Sequence, residues 1–275
     1  MKQLGLRFAA LFLGILLRIQ SAPAQQVASP FPAAANWIIS IHSLVPASGA
    51  NAVTAQAREF LEKQFFPQFQ EWPGMNVALV HRERGTARSE WALVYTFDTK
   101  ETRDHYFPAP GVFSAEITTV MAKNPGILDS LFTFFDAATY RHPQDFLVVG
   151  SSKTDGRFDV LSIHDFDLTP QAGAPAAEQF IAAEYLLIFR ELPGVNAHFA
   201  KLDRGEAPSH YAVLFTIESA QTRDLYFPKP EVPSPFVQTL LDRHRSTFQK
   251  FDTFFGRERS SAAQYADYRV LARAK

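Results

Sequence analysis

The chain has 275 residues, of which 47% are hydrophobic and 20% charged, a composition typical of folded globular proteins. Its 27 basic and 28 acidic residues give a net charge of −1. Because a nucleic-acid-binding protein is expected to carry an excess of basic residues, no nucleic-acid partner is predicted. The absence of cysteine excludes disulfides, thiolate metal sites and cysteine nucleophiles. The 26 phenylalanines predict an aromatic core.

Residues 1–24 are predicted to form a cleaved secretory signal peptide. Lys2 and Arg7 precede an apolar run over residues 8–17, and Ala24 completes a small-x-small cleavage site. Because a membrane-spanning helix needs about 20 apolar residues, this shorter run predicts no stable membrane span. We therefore expect cleavage after Ala24 and a periplasmic or secreted bacterial protein. An uncleaved amphipathic anchor is the alternative.

The remainder of the chain contains an internal repeat. The sequence that begins at Pro73 aligns without a gap on the sequence that begins at Pro193. Within it, the string Thr-Arg-Asp-x-Tyr-Phe-Pro occurs at both 102–108 and 222–228. Self-similarity over such a length predicts two copies of one structural unit.

The two copies also share their first strand. The string IISIHSL at residues 38–44 matches VLSIHDF at residues 160–166. Both strings are apolar and rich in β-branched residues, as strands are. We therefore define two predicted domains, unit 1 (residues 36–150) and unit 2 (residues 157–273), which a polar segment joins.

The elements of unit 1 follow in order along the chain. After the first strand, residues 52–71 carry apolar side chains at helical spacing, and Pro67 is expected to kink or end this helix. Pro73 and Gly74 then break the chain. Two strands are predicted on either side of Gly85.

The second half of the unit adds two helices and a strand. A short helix is predicted to begin near Thr99 and to stop at Pro108. A longer helix covers residues 113–137 and is interrupted by Asn-Pro-Gly at 124–126. A last strand at 145–150 completes the order β-α-β-β-α-β, the split βαβ arrangement. Unit 2 repeats this order.

This organisation resembles the superfamily of dimeric α/β-barrel proteins, which are built from ferredoxin-like units. The first-strand string, the entries Pro-Gly-Met-Asn and Pro-Gly-Val-Asn to the second strand, and the element order of both copies carry the resemblance. It implies an α+β fold in which two fused units pack sheet to sheet as an intramolecular pseudo-dimeric barrel. The superfamily includes cofactor-free monooxygenases, polyketide cyclases, lactone isomerases, stress-responsive proteins and haem enzymes related to chlorite dismutase.

Alternation along the strands predicts which side chains point into the space between the sheets. On the third strand, large groups such as Tyr95 share the face that helices should cover, and smaller or polar groups share the other face. The second strand opens with an asparagine in each copy. The predicted ligand-binding residues are Asn76, Glu90 and Thr96 in unit 1, and Asn196, His198, His210 and Thr216 in unit 2.

Two histidines at matching places on the first strands are the candidate catalytic residues. If Ile39 and Ile41 face the helices, His42 points between the sheets, and so does His164 in unit 2. An imidazole with a pKa near neutrality can act there as a base or a hydrogen-bond donor toward a small molecule. The alternative is that both are hydrogen-bonded core residues inherited by duplication. No histidine spacing predicts a metal site.

The repeated Thr-Arg-Asp-x-Tyr-Phe-Pro string favours a structural role. Its threonine can cap a short helix, and its proline can end that helix. Arg103 with Asp104, and Arg223 with Asp224, are expected to form salt-bridged corners. A role at the mouth of a cavity is the alternative.

Three functions remain open from the sequence. The first is an exported barrel that binds a small molecule of unknown identity and resembles the cofactor-free monooxygenases, cyclases or isomerases. The second is a non-catalytic module that serves stability or docks a partner. The third is a haem protein of the chlorite-dismutase type, with His244 as axial ligand, although Arg243 and Arg245 on either side favour a solvated helix face. We otherwise expect no cofactor.

Overall fold

The computed structural model describes residues 36–47, 53–69, 72–85, 90–141, 143–153, 158–205, 210–255 and 265–274. The predicted signal peptide lies outside the described residues. Within these ranges, no helix has the length and apolar character needed to span a membrane.

Eight strands run through the described part of the chain, all paired antiparallel. They are β1 (Ile38–Leu44), β2 (Met75–Gly85), β3 (Trp91–Phe97), β4 (Gln144–Ser151), β5 (Val160–Asp167), β6 (Val195–Arg204), β7 (His210–Ile217) and β8 (Tyr265–Arg273).

The strands close into one barrel in the order β1-β3-β2-β8-β5-β7-β6-β4. Each unit contributes one ferredoxin-like sheet, β4-β1-β3-β2 or β8-β5-β7-β6, and two seams, β2–β8 and β4–β6, join the units. The fold is a tandem dimeric α/β barrel. The predicted fold class is therefore confirmed, and the hydrogen-bonded seams add a connection that the sequence did not predict.

The helices cover the outside of the barrel. In each unit the first helix continues through a π turn, Leu61–Phe65 or Ile181–Tyr185, before it ends. The α-helices of five or more residues are α1 (Ala55–Phe60), α2 (Lys100–Tyr106), α3 (Ala115–Lys123), α4 (Ile127–Phe134) and α5 (Ala137–Arg141) in unit 1, and α6 (Ala174–Phe180), α7 (Ala220–Tyr226), α8 (Pro235–Arg243) and α9 (Arg245–Phe255) in unit 2.

Side-chain caps fix where the short helices begin. The Thr99 hydroxyl accepts a hydrogen bond from the Thr102 backbone N–H at 3.1 Å, and Ser219 accepts one from Thr222 at 3.0 Å. Such caps satisfy backbone donors that have no partner inside the helix. They confirm the predicted start of the helix near Thr99.

Apolar side chains fill both sides of the sheet. Aromatic clusters lie between the strands and the helices, among them Phe65, Phe135 and Phe255, all fully buried. Inside the barrel, a third cluster includes Trp37 and Leu214, which are also fully buried. The aromatic core expected from the composition is present, and the barrel interior is a packed core.

The strand register corrects the predicted orientation of the first strands. His42 lies opposite Leu93 and His164 opposite Val213, so both histidines share the helix-covered face with those apolar residues. Ile39 belongs to the cluster inside the barrel. The prediction that His42 and His164 point between the sheets is wrong, because β1 and β5 bury apolar groups on both faces and their hydrophobicity therefore does not distinguish inside from outside.

Each repeated string is bound by an arginine of the other unit. Arg84 of unit 1 donates to the Phe227 carbonyl and the Asp224 carboxylate of unit 2, both at 2.7 Å. Arg204 of unit 2 makes the same two bonds in unit 1, to Phe107 and Asp104, both at 2.6 Å. The two arginines therefore clamp the units together reciprocally.

Each clamp includes the arginine of the repeated string. Arg103 binds Asp104 at 2.6 Å, and Arg223 binds Asp224 at 2.9 Å. The predicted salt-bridged corners are present, and they lie at the contact between the units.

Replacing Gly85 with alanine is expected to disrupt the β2–β8 seam. Gly85 has a φ of +86°, and an added Cβ would lie 2.0 Å from the Tyr265 carbonyl oxygen. Gly111 is the matched control, because its φ is +71° and a Cβ there meets nothing within 4 Å. We expect Gly111→Ala to cost ~1–2 kcal/mol from backbone strain alone, and Gly85→Ala to cost ~3 kcal/mol or more. Denaturant unfolding measures both, and equal losses would contradict the close seam.

Candidate functional site

A cavity of about 480 Å³ lies against the helix-covered face of the unit 1 sheet and reaches the barrel end where unit 2 contributes Leu202 and His210; its volume is within the range usual for small-molecule sites. Its floor is formed by β1, β3 and β4, and its walls by α2, α5 and the turn at 107–113. Unit 2 contributes residues from the ends of β5, β6 and β7. The aromatic side chains that line it are Tyr95, Phe97, Phe107, Phe113 and Tyr140.

His42 lies on the floor of this cavity with its tautomer fixed. Its Nδ1 is 2.9 Å from the Tyr140 carbonyl oxygen, and its Nε2 is 3.0 Å from the Ser40 hydroxyl. Because a carbonyl only accepts, Nδ1 carries the hydrogen and Nε2 carries the lone pair of the neutral ring. Burial lowers the pKa of His42 to about 4, against the opposing charge of Asp145 and the bond to Tyr140. The imidazole is therefore neutral at physiological pH, and Nε2 carries an unprotonated lone pair.

The Ser40 hydroxyl has two acceptors for its single hydrogen. It donates to Asp145 Oδ1 at 2.6 Å, and the His42 Nε2 lone pair is 3.0 Å away. Ser40 is only 3% exposed, and its surface lines the cavity. The Ser40 hydroxyl can therefore rotate and donate its hydrogen bond to the imidazole instead of the carboxylate, without movement of the backbone.

A buried arginine balances the charge of Asp145. Arg103 is 1% exposed and donates to the carboxylates of Asp145 and Asp203, as well as to Asp104. Lys100 also binds Asp203. The clamp between the units thus holds one carboxylate of the cavity in place.

Two tyrosines pack against His42 and share a hydrogen bond. The rings of Tyr95 and Tyr140 lie 4.7 and 4.8 Å from the imidazole, and their hydroxyl oxygens are 2.9 Å apart. Burial raises the pKa of Tyr140 to about 12 and that of Tyr95 well above its usual value, so both stay protonated. Only one of their two hydrogens can lie between the oxygens, and the other is available to a ligand.

The opposite end of the cavity carries a charged pair from unit 2. His210 Nδ1 is 3.0 Å from Asp167, and its Nε2 faces Asp165 at 3.4 Å. The contact with Asp165 raises the pKa of His210 most, burial opposes that rise, and Asp167 adds to it. This end therefore favours a protonated imidazole paired with carboxylates.

Of the two predicted catalytic histidines, only His42 lines this cavity. His164 occupies the matching place in unit 2, where its Nε2 lies 2.9 Å from Ser162 and its ring stacks on Tyr265 at 5.4 Å. Burial lowers the pKa of His164, opposed by the charge of Asp267 and then of Asp165. The structure thus separates the two histidines into different surroundings.

Most of the predicted ligand-binding residues lie away from the cavity. Asn196 binds Ser152 at 2.7 Å inside the barrel, and His198 binds Ser151 at 2.8 Å and Thr216 at 3.3 Å. These polar groups satisfy one another in a packed interior.

The predicted ligand-binding residues of unit 1 do not line the cavity either. Asn76 and Thr96 border a void of only about 10 Å³, and Glu90 is exposed. The prediction that a ligand binds between the sheets is therefore wrong, because side chains of both sheets fill that space. Among the seven predicted ligand-binding residues, His210 lines the cavity, at the end of the barrel.

The sequence placed Ser40 on the same face as His42 but gave it no role, and it assigned neither Asp145 nor the two tyrosines to the site. One signal was present, since Ser-x-His occurs in both first strands. Asp145 and Tyr140 reach the site from about a hundred residues away, through the β1–β4 pairing and helix α5. No motif of short, fixed spacing in the sequence predicts such contacts.

The residues around His244 do not fit a haem ligand. His244 follows α8, where its Nε2 lies 2.8 Å from Glu191 Oε1, and Arg243 binds the same carboxylate. Neither residue lines the cavity. Among the described residues, no group of three or more metal-binding side chains is placed to hold a metal ion.

No protein-family model and no curated protein matches the chain. Among solved structures, it is similar to an anthrone oxidase-like protein, with 14% identity, coverage of 86% of this chain and 91% of that chain, and a TM-score of 0.45. It is also similar to a monooxygenase-like protein from Listeria innocua, with 11% identity, coverage of 86% of this chain and 95% of that chain, and a TM-score of 0.40. A heme-binding protein from Thermus thermophilus is 10% identical, with coverage of 88% of this chain and 95% of that chain, and a TM-score of 0.47. Similarity at this level carries no activity or ligand over to this chain.

Proposed function

We propose that the protein binds a small, planar, mostly apolar molecule in the cavity of unit 1 and that His42 accepts a proton from it. The observation that carries the proposal is the neutral imidazole of fixed tautomer, placed on the floor of a cavity with aromatic walls. A few oriented polar groups in a pocket with largely apolar and aromatic walls are typical of small-molecule sites.

The charges of the cavity favour a neutral ligand. Arg103 is surrounded by carboxylates, Arg204 binds Asp104 and backbone carbonyls, and Asp167 binds His210. A charged ligand would find its countercharge already paired. Aromatic walls offer stacking and edge contacts to a planar ring.

A base and a hydrogen-bond donor face the same space. His42 Nε2 can remove a proton from a carbon next to a carbonyl group, and the remaining hydroxyl hydrogen of the Tyr95–Tyr140 pair can stabilise the oxyanion that forms. Enolisation of this kind is a first step that cofactor-free oxygenation, cyclisation and isomerisation can share. We therefore propose an enzyme of this group, without a metal or haem.

Export remains part of the proposal. N-terminal sequencing of protein from the periplasm or medium of its host is expected to begin at Gln25, since Ala24 ends the predicted signal peptide. Soluble protein that retains Met1 would contradict export.

A tryptophan at the cavity wall is expected to abolish binding of 2-naphthol, a neutral planar probe. Ala109 lines the cavity, so Ala109→Trp would fill it and weaken binding by ~100-fold or more. Lys229 occupies the matching turn of unit 2, and Lys229→Trp is the control that should leave the affinity unchanged. Isothermal titration calorimetry measures both. Equal affinities for all three proteins would place the probe elsewhere.

Loss of the imidazole is expected to abolish proton exchange. The α-carbon hydrogens of 2-tetralone should exchange with D₂O faster in the presence of the protein, as followed by proton NMR. His42→Phe should remove this acceleration by ~100-fold or more, because general-base catalysis contributes at least that much, and His164→Phe should preserve it. A haem Soret band in the purified protein, or exchange that depends on His164, would contradict the proposal.

A further inference from the structure

Ser40 and His42 form a hydroxyl–imidazole pair in which a third group orients the imidazole. The hydroxyl oxygen is 3.0 Å from Nε2, and the Tyr140 carbonyl holds Nδ1–H at 2.9 Å on the other side of the ring. A nucleophile, a base within hydrogen-bond reach and a group that orients the base are the parts that covalent catalysis by serine requires.

Unit 2 keeps the pair but differs in its surroundings. Ser162 Oγ lies 2.9 Å from His164 Nε2, which reproduces the first contact. Among the described residues, the structure gives His164 no hydrogen bond besides this one, and its ring stacks on Tyr265. Of the two copies of the pair, the one in unit 1 therefore has an orienting carbonyl and borders the cavity.

The charges around Ser40 suit a proton transfer to His42. Burial lowers the pKa of His42, but the charge of Asp145 opposes that lowering, so Asp145 favours the protonated ring that forms when Nε2 takes the hydroxyl proton. Arg103 holds that carboxylate in place from its other side. Tyr95 lies directly opposite Ser40 across the β1–β3 pairing, and Ser40, Tyr95 and Tyr140 all line the same cavity.

We propose that Ser40 is an acyl-accepting nucleophile and that the cavity of unit 1 hydrolyses aryl esters of short carboxylic acids. The Ser40 oxygen bonds to the acyl carbon while its proton passes to His42 Nε2, and the tyrosine pair donates to the carbonyl oxygen, which becomes the oxyanion. The bond from the acyl carbon to the aryl oxygen then breaks, and that oxygen takes the proton from His42.

Water completes the cycle. It attacks the acyl carbon of acyl-Ser40 and gives a proton to His42, and Ser40 leaves with that proton as the carboxylic acid departs. The inference rests on the proposed function, because the same aromatic walls must admit the aryl group.

The test uses 2-naphthyl acetate with the full-length protein, followed by an acid quench and peptide mass spectrometry. We expect one acetyl group on the peptide that contains Ser40, and release of 2-naphthol. His42→Gln should slow acetylation by ~100-fold or more, since the general base is lost. Ser40→Ala should remove the label, and the matched variant Ser162→Ala should retain it.

The outcomes separate the inference from the proposed function. If 2-naphthol binds in the cavity but Ser40 carries no acetyl group in the wild-type protein, the esterase inference is wrong and the binding proposal stands. Acetylation confined to lysines or to the chain terminus also overturns it. If 2-naphthol fails to bind, both are overturned. The wild-type peptide map decides even if Ser40→Ala does not fold.

Discussion

Replacing Arg103 with leucine is expected to lower the free energy of unfolding by about 3–5 kcal/mol. The guanidinium is 1% exposed and binds the carboxylates of Asp104, Asp145 and Asp203. Asp145 is itself only 4% exposed, so removal of its partner leaves a negative charge in a place that water reaches poorly. Urea unfolding followed by circular dichroism measures the loss.

Arg223→Leu is the matched control in unit 2. Its nearest partners, Glu83 and Asp224, are 25% and 49% exposed at the side chain, so water can solvate them when the arginine is removed, whereas the buried Asp267 lies farther from the guanidinium, at 4.0 Å. We expect a smaller loss there. Adding Asp145→Asn to Arg103→Leu should recover part of the stability, because the unpaired buried charge is gone. Equal losses for the two arginines, or no recovery, would contradict this account of the clamp.

Protonation of His42 is expected to destabilise the protein as the pH falls. The ring has an ordinary pKa of 6.5 in the unfolded chain and a pKa of about 4 in the folded protein, where burial disfavours its charge. Between these values the unfolded state binds more protons, so stability falls as the pH drops from 6.5 toward about 4. Once the ring is protonated in both states, this pKa difference corresponds to a loss of up to ~3 kcal/mol in the free energy of unfolding.

The difference between wild type and His42→Phe isolates this contribution. The wild type should lose more stability than the variant over this pH range, and the difference between them should become constant once the ring is protonated in both the folded and the unfolded state. The groups around His42 are Asp145, Tyr95 and Tyr140, and both tyrosines titrate far above this range. His210, whose pKa is raised, acts in the opposite direction in both proteins and cancels in the comparison. Parallel pH profiles would contradict a buried, neutral His42.

The barrel could be predicted because the repeat and the strand patterns are strong. On β3 the contrast between Tyr95 and Ala92 distinguishes the helix-covered face from the interior, and the structure confirms both assignments. On β1 that contrast is missing, since Ile38 packs under the helices and Ile39 inside the barrel. The register with β3, which no single strand contains, decides the orientation.

The candidate site could be predicted only in part. His42 was identified from its repeated position, although its surroundings were assigned to the wrong side of the sheet. Asp145 and Tyr140 join it through a strand pairing and a helix that bring distant segments together. The clamp was recognised as a corner within each unit, but Arg84 and Arg204 act between the units, and a repeat does not state which copy a side chain will contact.

A crystal structure of the protein soaked with 2-naphthol tests the central claim most directly. We expect electron density for the naphthalene ring in the cavity of unit 1, against Tyr140 and the turn at 107–113, with the naphthol oxygen within hydrogen-bond distance of His42 Nε2 or the tyrosine hydroxyls. Density for the probe only at another place, or an empty cavity at saturating probe, would contradict the claim that this cavity is the functional site.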